Sequence, residues 1–134
     1  MKQIKIAIVD DHPIILDGLE KIISRQSDMI LVGKGKTASE CIELINKVEC
    51  DVLVLDFNLP DRNGFEVLLE LKKMHNEVKV IMLTMYPENK FAIRAFESGA
   101  YGYINNGSIA EELTSAIRVV SSGKKYITPY SGAI

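Results

Sequence analysis

Val52-Leu53-Val54-Leu55-Asp56 is the stretch that decides the fold. Four β-branched or aliphatic residues in a row leave neither face polar. That is the pattern of a central parallel strand covered by helices on both sides. The run ends abruptly in an acid, and Asn58 to Gly64 follows with Pro60, Asp61, Asn63 and Gly64, which is turn chemistry. Outward from it the same unit recurs. Ile4 to Val9 is a strand that ends in Asp10-Asp11, and Val78 to Leu83 is a strand that ends at Thr84. Ile30 to Gly33 is a weaker strand and Tyr101 to Ile104 a short last one. Helical spacing fills the intervals. Ile15, Leu16, Leu19, Ile22 and Ile23 line residues 12–26, and Cys41, Leu44, Ile45 and Val48 line a helix opened by Thr37 with Glu40 as a capping box. Residues 65–74 and 87–98 follow, the second closed by Gly99. Ser108 and Glu111 predict another capping box, before a helix lined by Leu113, Ala116, Ile117 and Val120. Five βα units in alternation predict a doubly wound α/β parallel sheet with helices on both faces.

The totals fit one such domain. The chain has 134 residues, 47% hydrophobic and 25% charged, enough to bury a core. Sixteen basic against eighteen acidic residues give a net charge of −2, without the cationic surplus that nucleic-acid phosphates require. Cys41 and Cys50 lack metal-ligand spacing and read as small buried hydrophobes in a reducing compartment. The apolar run at Ile6 to Val9 is too short for a secretion signal, and no stretch approaches membrane-spanning length. A soluble, cytoplasmic protein is expected. No linker precedes Gly123, and the tail from Ser131 to Ile134 is expected to fray.

The strand ends carry the chemistry. In a parallel sheet the carboxyl ends converge on one edge, where ligands bind. That edge collects Asp10, Asp11, Asp56 and Thr84. Carboxylates so close repel and raise one another's pKa, and a bound cation removes the conflict. Oxygen ligands at an open site favour Mg²⁺ over zinc or copper. A carboxylate is also a nucleophile towards phosphorus, and Thr84 offers a hydroxyl to a phosphoryl oxygen. The plainer reading is that each Asp is a turn or cap residue, with Asp11 capping a helix that has Pro13 in its first turn.

Taken together, Ile8-Val9-Asp10-Asp11-His12, Leu53-Val54-Leu55-Asp56-Phe57-Asn58-Leu59-Pro60, Asn63-Gly64, Val80-Ile81-Met82-Leu83-Thr84 and Gly99-Ala100-Tyr101-Gly102-Tyr103-Ile104 resemble the receiver domains of two-component response regulators over essentially the whole chain. Asp10-Asp11-His12-Pro13 and Gly123 followed by Tyr126-Ile127-Thr128-Pro129 are similar to the branch named for NarL and FixJ, the LuxR-type regulators. The resemblance implies a flavodoxin-like (βα)5 fold with strand order 2-1-3-4-5. It implies a receiver over residues 1–123 and, over 124–134, the start of a linker to an output domain, most often helix-turn-helix.

It further implies that Asp56 accepts a phosphoryl group from a sensor histidine kinase or phosphotransfer protein. Mg²⁺ would be held by the side chains of Asp11 and Asp56 and the backbone carbonyl of Asn58, with Asp10 acting through a water. Thr84 and Tyr103 would be the switch pair, Thr84 moving to the phosphate and Tyr103 swinging inward. Such a domain is not an enzyme beyond its own Mg²⁺-dependent phosphorylation and dephosphorylation. It would form a homodimer when phosphorylated, through helices one and five or the helix four to helix five face, and reach DNA only through the output domain.

One position departs from the family. A Lys is expected where Asn106 stands, in Gly102-Tyr103-Ile104-Asn105-Asn106, and Lys124 and Lys125 lie beyond the last helix. Asn donates a hydrogen bond without the charge-assisted part. Two alternatives follow: a working phospho-acceptor whose reporting step is weakened, or a degenerate, phosphorylation-independent interaction module. A separate enzyme of the same fold lacks support. There is no Gly-x-Gly-x-x-Gly or P-loop, and Asp56-Phe57-Asn58 lacks the second Asp of an aspartyl-nucleophile phosphatase.

Overall fold

Residues 52–56 sit in the middle of a parallel sheet because their side chains alternate between two cores. In the computed structural model, Leu53 and Leu55 face one cluster with Ala7, Val9, Val80, Met82 and Tyr103. Val52 and Val54 face the other with Ile6, Ile8, Ile81, Leu83 and Ile104. The structure describes residues 2–85 and 89–128. In chain order the elements are β1 (Ile4–Val9), α1 (Pro13–Ser24), β2 (Met29–Gly35), α2 (Ala38–Lys47), β3 (Val52–Asp56), α3 (Gly64–Lys73), β4 (Lys79–Thr84), α4 (Asn89–Glu97), β5 (Gly102–Asn105), α5 (Ile109–Ser121) and β6 (Tyr126–Ile127). Strand order is β2-β1-β3-β4-β5-β6, all parallel. This is the expected flavodoxin-like order with a sixth strand added on β5. That strand falls within the segment expected to begin a linker.

Helices α1 and α5 supply Leu16, Leu19, Ile23, Leu113, Ala116, Ile117 and Val120 to one core. Helices α2, α3 and α4 supply Cys41, Ile45, Val67, Leu68, Leu71, Ala92 and Ala95 to the other. Each fully buried Leu or Ile contributes about 1.5–3 kcal/mol over leaving it in water. No described helix is long and apolar enough to cross a membrane. Burial raises the thiols of Cys41 and Cys50 to about 12 and about 11, so both stay protonated and act as packing groups.

Helix starts correct two expectations and the plainer reading of Asp11. At α2, Thr37 accepts from the Glu40 N–H at 3.0 Å, but the Glu40 carboxylate accepts from the Lys36 N–H rather than closing the box on Thr37. Helix α1 has His12, not the Asp11 of the plainer reading, as its N-cap, with no side-chain cap bond, which leaves Asp11 out of a structural role there. At α5 the Ser108–Glu111 box does not form. Residues Asn106–Ser108 make a 3₁₀ turn, and Ser108 at φ −113°, ψ 9° lacks the extended backbone a capping hydroxyl needs. Asn105 caps that turn instead, accepting from the Gly107 N–H at 2.9 Å.

Among the described residues, the complete capping box is at α3. Asn63 accepts from the Glu66 N–H at 3.1 Å and Glu66 accepts from the Asn63 N–H at 3.2 Å. Asn63→Ala is expected to cost about 1 kcal/mol, read as a lower urea midpoint with an unchanged slope. Glycine at 99 takes φ +111° after α4, as its position predicted. The expected start of that helix at Pro87 and the tail from Ser131 to Ile134 lie outside the described residues.

Candidate phosphoacceptor and metal site

Register places the acidic edge. Val9 pairs with Leu55, Asp56 with Leu83, and Thr84 with Asn105, so the ends of β1, β3, β4 and β5 lie side by side. Asp10 and Asp56 are buried, 1% and 4% exposed, as is Thr84 at 1%. Asp11 is half-buried. Ligand atoms of Asp10, Asp11, His12 and Asp56 all fall within 4.8 Å of one another.

The carboxylates are only partly satisfied. Asp56 Oδ1 accepts from the Asn58 N–H at 3.2 Å, and Asp10 Oδ1 accepts from the His12 N–H at 2.9 Å. Asp10 Oδ2, Asp11 Oδ1 and Asp56 Oδ2 are buried without a hydrogen-bond partner among the described residues. Orphaned carboxylate oxygens at close quarters are costly, and they fit a hard divalent cation that takes oxygen ligands. Burial, then the Asp10 charge, pushes the Asp56 carboxyl up to about 6; the Asn58 N–H and His12 pull the other way.

His12 is the group that sequence reasoning passed over. Its Nδ1 lies 2.7 Å from Asp10 Oδ1, 3.2 Å from Asp11 Oδ1 and 3.8 Å from Asp56 Oδ2. Its hydrogen bond to Asp10, helped by the charges of Asp10, Asp11 and Asp56, raises the imidazole pKa. The sequence shows a His directly after two acids at a strand end, but not which way its ring turns.

The loop after β3 is held so that the Asn58 backbone faces this edge. The Gly64 N–H donates to the Phe57 carbonyl at 2.8 Å, and Asn58 and Asn63 form an antiparallel bridge. A side chain at Gly64 would collide with the Met82 thioether. Asp61 ties the loop to α2 by accepting from the N–H groups of Ala38 and Ser39 at 2.8 and 3.0 Å.

Asn106 begins the 3₁₀ turn one residue past the Thr84–Asn105 pair, with its Oδ1 buried and unpartnered among the described residues. Lys125 points to the other end of β5, donating to the Ala100 carbonyl at 3.4 Å, so it supplies no charge at this edge. Tyr103 is 4% exposed and already packed in the core beside α4. The inward swing expected of it has no outward starting point in this conformation. A groove of about 500 Å³ lies at the opposite, amino end of the strands, lined by Lys2, Cys50, Asp51 and Lys79 among others, remote from the carboxylates.

Residues 6–118 match the family model of the response regulator receiver domain. The chain belongs to that family. Among curated relatives, the receiver is 31% identical to response regulator GacA of Pseudomonas aeruginosa over 126 residues, covering 94% of this chain and 59% of that protein. It is 32% identical to response regulator VraR of Staphylococcus aureus, covering 94% and 60%. It thus spans a little under two thirds of the length of these relatives. A crystal structure of a LuxR-family two-component response regulator from an Aurantimonas species superposes with TM-score 0.90 at 30% identity, covering 96% of this receiver and 91% of that chain. These relatives agree with the NarL/FixJ, LuxR-type branch.

Proposed function

We propose that this receiver is a phospho-acceptor switch, with Asp56 as the acceptor. The observation that carries the reading is the buried, unpartnered Asp56 Oδ2 beside the Asp10, Asp11 and His12 ligand atoms. The donor is a phosphohistidine on a sensor histidine kinase or phosphotransfer protein. An Asp56 oxygen forms the O–P bond as the N–P bond breaks, and the electron pair returns to the donor imidazole. Side chains of Asp11 and Asp56 and the Asn58 carbonyl would hold Mg²⁺, with Asp10 engaged through a water. The ion supplies charge neutralisation for the phosphoryl oxygens. Thr84 offers its hydroxyl to one of those oxygens, and Asn106 sits where the family has a Lys. The output is transcriptional, through a DNA-binding domain of the longer protein and a homodimer that forms on phosphorylation. The residue 1–123 receiver and a cytoplasmic location belong to the same reading.

The test is direct. Incubation with a small acyl phosphate and Mg²⁺ should add one phosphoryl mass to the wild type and none to Asp56→Asn. No adduct on the wild type would overturn the acceptor reading in favour of a degenerate interaction module. Two observations favour that second reading: a neutral Asn106, and a Tyr103 already buried at 4% exposure. They also motivate a reporting-step prediction. Asn106→Lys restores a charge-assisted bond to the phosphoryl group and should strengthen phosphorylation-dependent dimerisation by about 1 kcal/mol. Sedimentation with and without the phosphodonor measures it; an unaltered response refutes weakened coupling through Asn106.

A further inference from the structure

The chain does not leave the sheet when α5 ends. At Gly123, φ +95°, it turns back, and β6 runs parallel to β5 with Gly102 opposite Tyr126 and Tyr103 opposite Ile127. Backbone bonds flank this pairing: the Tyr126 N–H donates to the Tyr101 carbonyl and the Thr128 N–H to the Tyr103 carbonyl, each at 2.9 Å. Side chains pin the near end. The Tyr126 hydroxyl donates to the Glu112 carboxylate of α5 at 2.5 Å, and Lys125 Nζ lies 4.6 Å from the centroid of the Tyr101 ring.

The far end is different. There the Asn105 N–H donates to Thr128 Oγ1 at 3.0 Å. Asn105 is the register partner of Thr84, and Leu83, the residue before it, is the partner of Asp56. Asp56, Thr84 and Asn105 therefore stand on three successive strands at one edge of the sheet, with Thr128 just past the end of β6 beside them. A two-residue strand with Ile127 45% exposed is the least buried element of that sheet, so it is the first to open when its bonds are disturbed.

We propose that Tyr126–Thr128 is a strap whose docking on β5 depends on the state of Asp56, with Thr128 as the residue that positions it against the switch edge. The proposal rests on Asp56 being the acceptor. In the resting chain the Asn105–Thr128 bond closes the strap. When Thr84 turns to a phosphoryl oxygen, the end of β5 paired with it shifts, the Asn105 N–H leaves Thr128, and the strap loosens. The strap itself is then docked in one state and released in the other. Because coupling between sites is reciprocal, weakening the strap must favour the phosphorylated conformation by the same factor.

Beryllium fluoride with Mg²⁺ serves as a stable phosphoryl mimic, and amide exchange by NMR reads the strap. On adduct formation the amides of Tyr126 and Thr128 should exchange about tenfold faster. Thr128→Val removes the Oγ1 acceptor at constant size. It should speed exchange at Asn105 in the resting chain and tighten beryllium fluoride binding several-fold, whereas Thr128→Ser should restore both. A merely structural strand would lose protection without changing that affinity. An adduct that leaves Tyr126 and Thr128 protected, or a Thr128→Val chain with unchanged affinity, overturns the strap alone. Failure of the wild type to bind the mimic at Asp56 overturns the acceptor reading and the strap with it.

Discussion

Asp56→Asn should abolish phosphoryl uptake and, without added metal, make the folded chain more stable at pH 7.5. The acceptor is buried beside Asp10, and its carboxyl is pushed up to about 6 from the ordinary 3.8. Between those values the folded chain holds a proton that the unfolded chain has released. The contribution of Asp56 to stability is therefore greatest below about pH 4 and is lost as pH rises through about 6, the reverse of a salt-bridged Asp. Two pKa units correspond to about 3 kcal/mol. Asn keeps the acceptor oxygen for the Asn58 N–H but carries no charge, so it should recover about 2 kcal/mol of that at pH 7.5 and almost nothing at pH 4. Urea unfolding of both chains in EDTA at the two pH values measures the difference. Saturating Mg²⁺ should narrow it by stabilising the wild type more than the variant. A variant less stable than wild type at pH 7.5 would show that His12 and the Asn58 N–H already satisfy the charge.

That expectation illustrates which parts of the molecule were legible in the amino-acid order. Val52 to Leu55 announced a two-sided core because a strand has period two and neither phase is polar. The acids followed from position alone, since parallel strands bring Asp10, Asp11 and Asp56 to one end wherever the intervening helices lie. Longer-range geometry was not legible. Nothing in Asp10-Asp11-His12 says that the imidazole folds back to 2.7 Å from Asp10 rather than into water. Ser108 sits in a sound capping pattern, yet the 3₁₀ turn at Asn106–Ser108 removes the backbone angle it needs. Two residues, Tyr126 and Ile127, are too few to show a strand period, so β6 became visible only from its ladder to β5. The resemblance makes Tyr103 a ring that swings inward, but with β6 added beyond β5 its ring is already buried in this conformation.

The residue that joins the core to the chemistry is Phe57, and its truncation should give the largest loss of stability of the substitutions considered. Phe57 is flanked by the acceptor Asp56 and by Asn58, whose carbonyl is the proposed metal ligand. Its ring is 9% exposed and meets Phe65 edge-on at 4.9 Å and Phe91 at 6.4 Å between centroids. Its backbone is held at both ends, the N–H donating to the Leu83 carbonyl at 2.9 Å and the carbonyl accepting from Gly64 at 2.8 Å. Phe57→Ala should cost about 3–5 kcal/mol, the usual toll for emptying an aromatic site in a core that relaxes only partly. Phe57→Leu refills most of the volume and should cost under about 1.5 kcal/mol. Function should follow the ring rather than global stability. Loss of the Phe65 and Phe91 contacts frees the loop to carry the Asn58 carbonyl away from Asp11 and Asp56. Phe57→Ala, assayed where it is still folded, should therefore bind Mg²⁺ more weakly and take up phosphate more slowly, while Phe57→Leu keeps both near wild type. Equal Mg²⁺ affinity in all three chains would mean that the Asn58–Asn63 bridge alone holds the loop, and that the aromatic cluster serves the fold without serving the site.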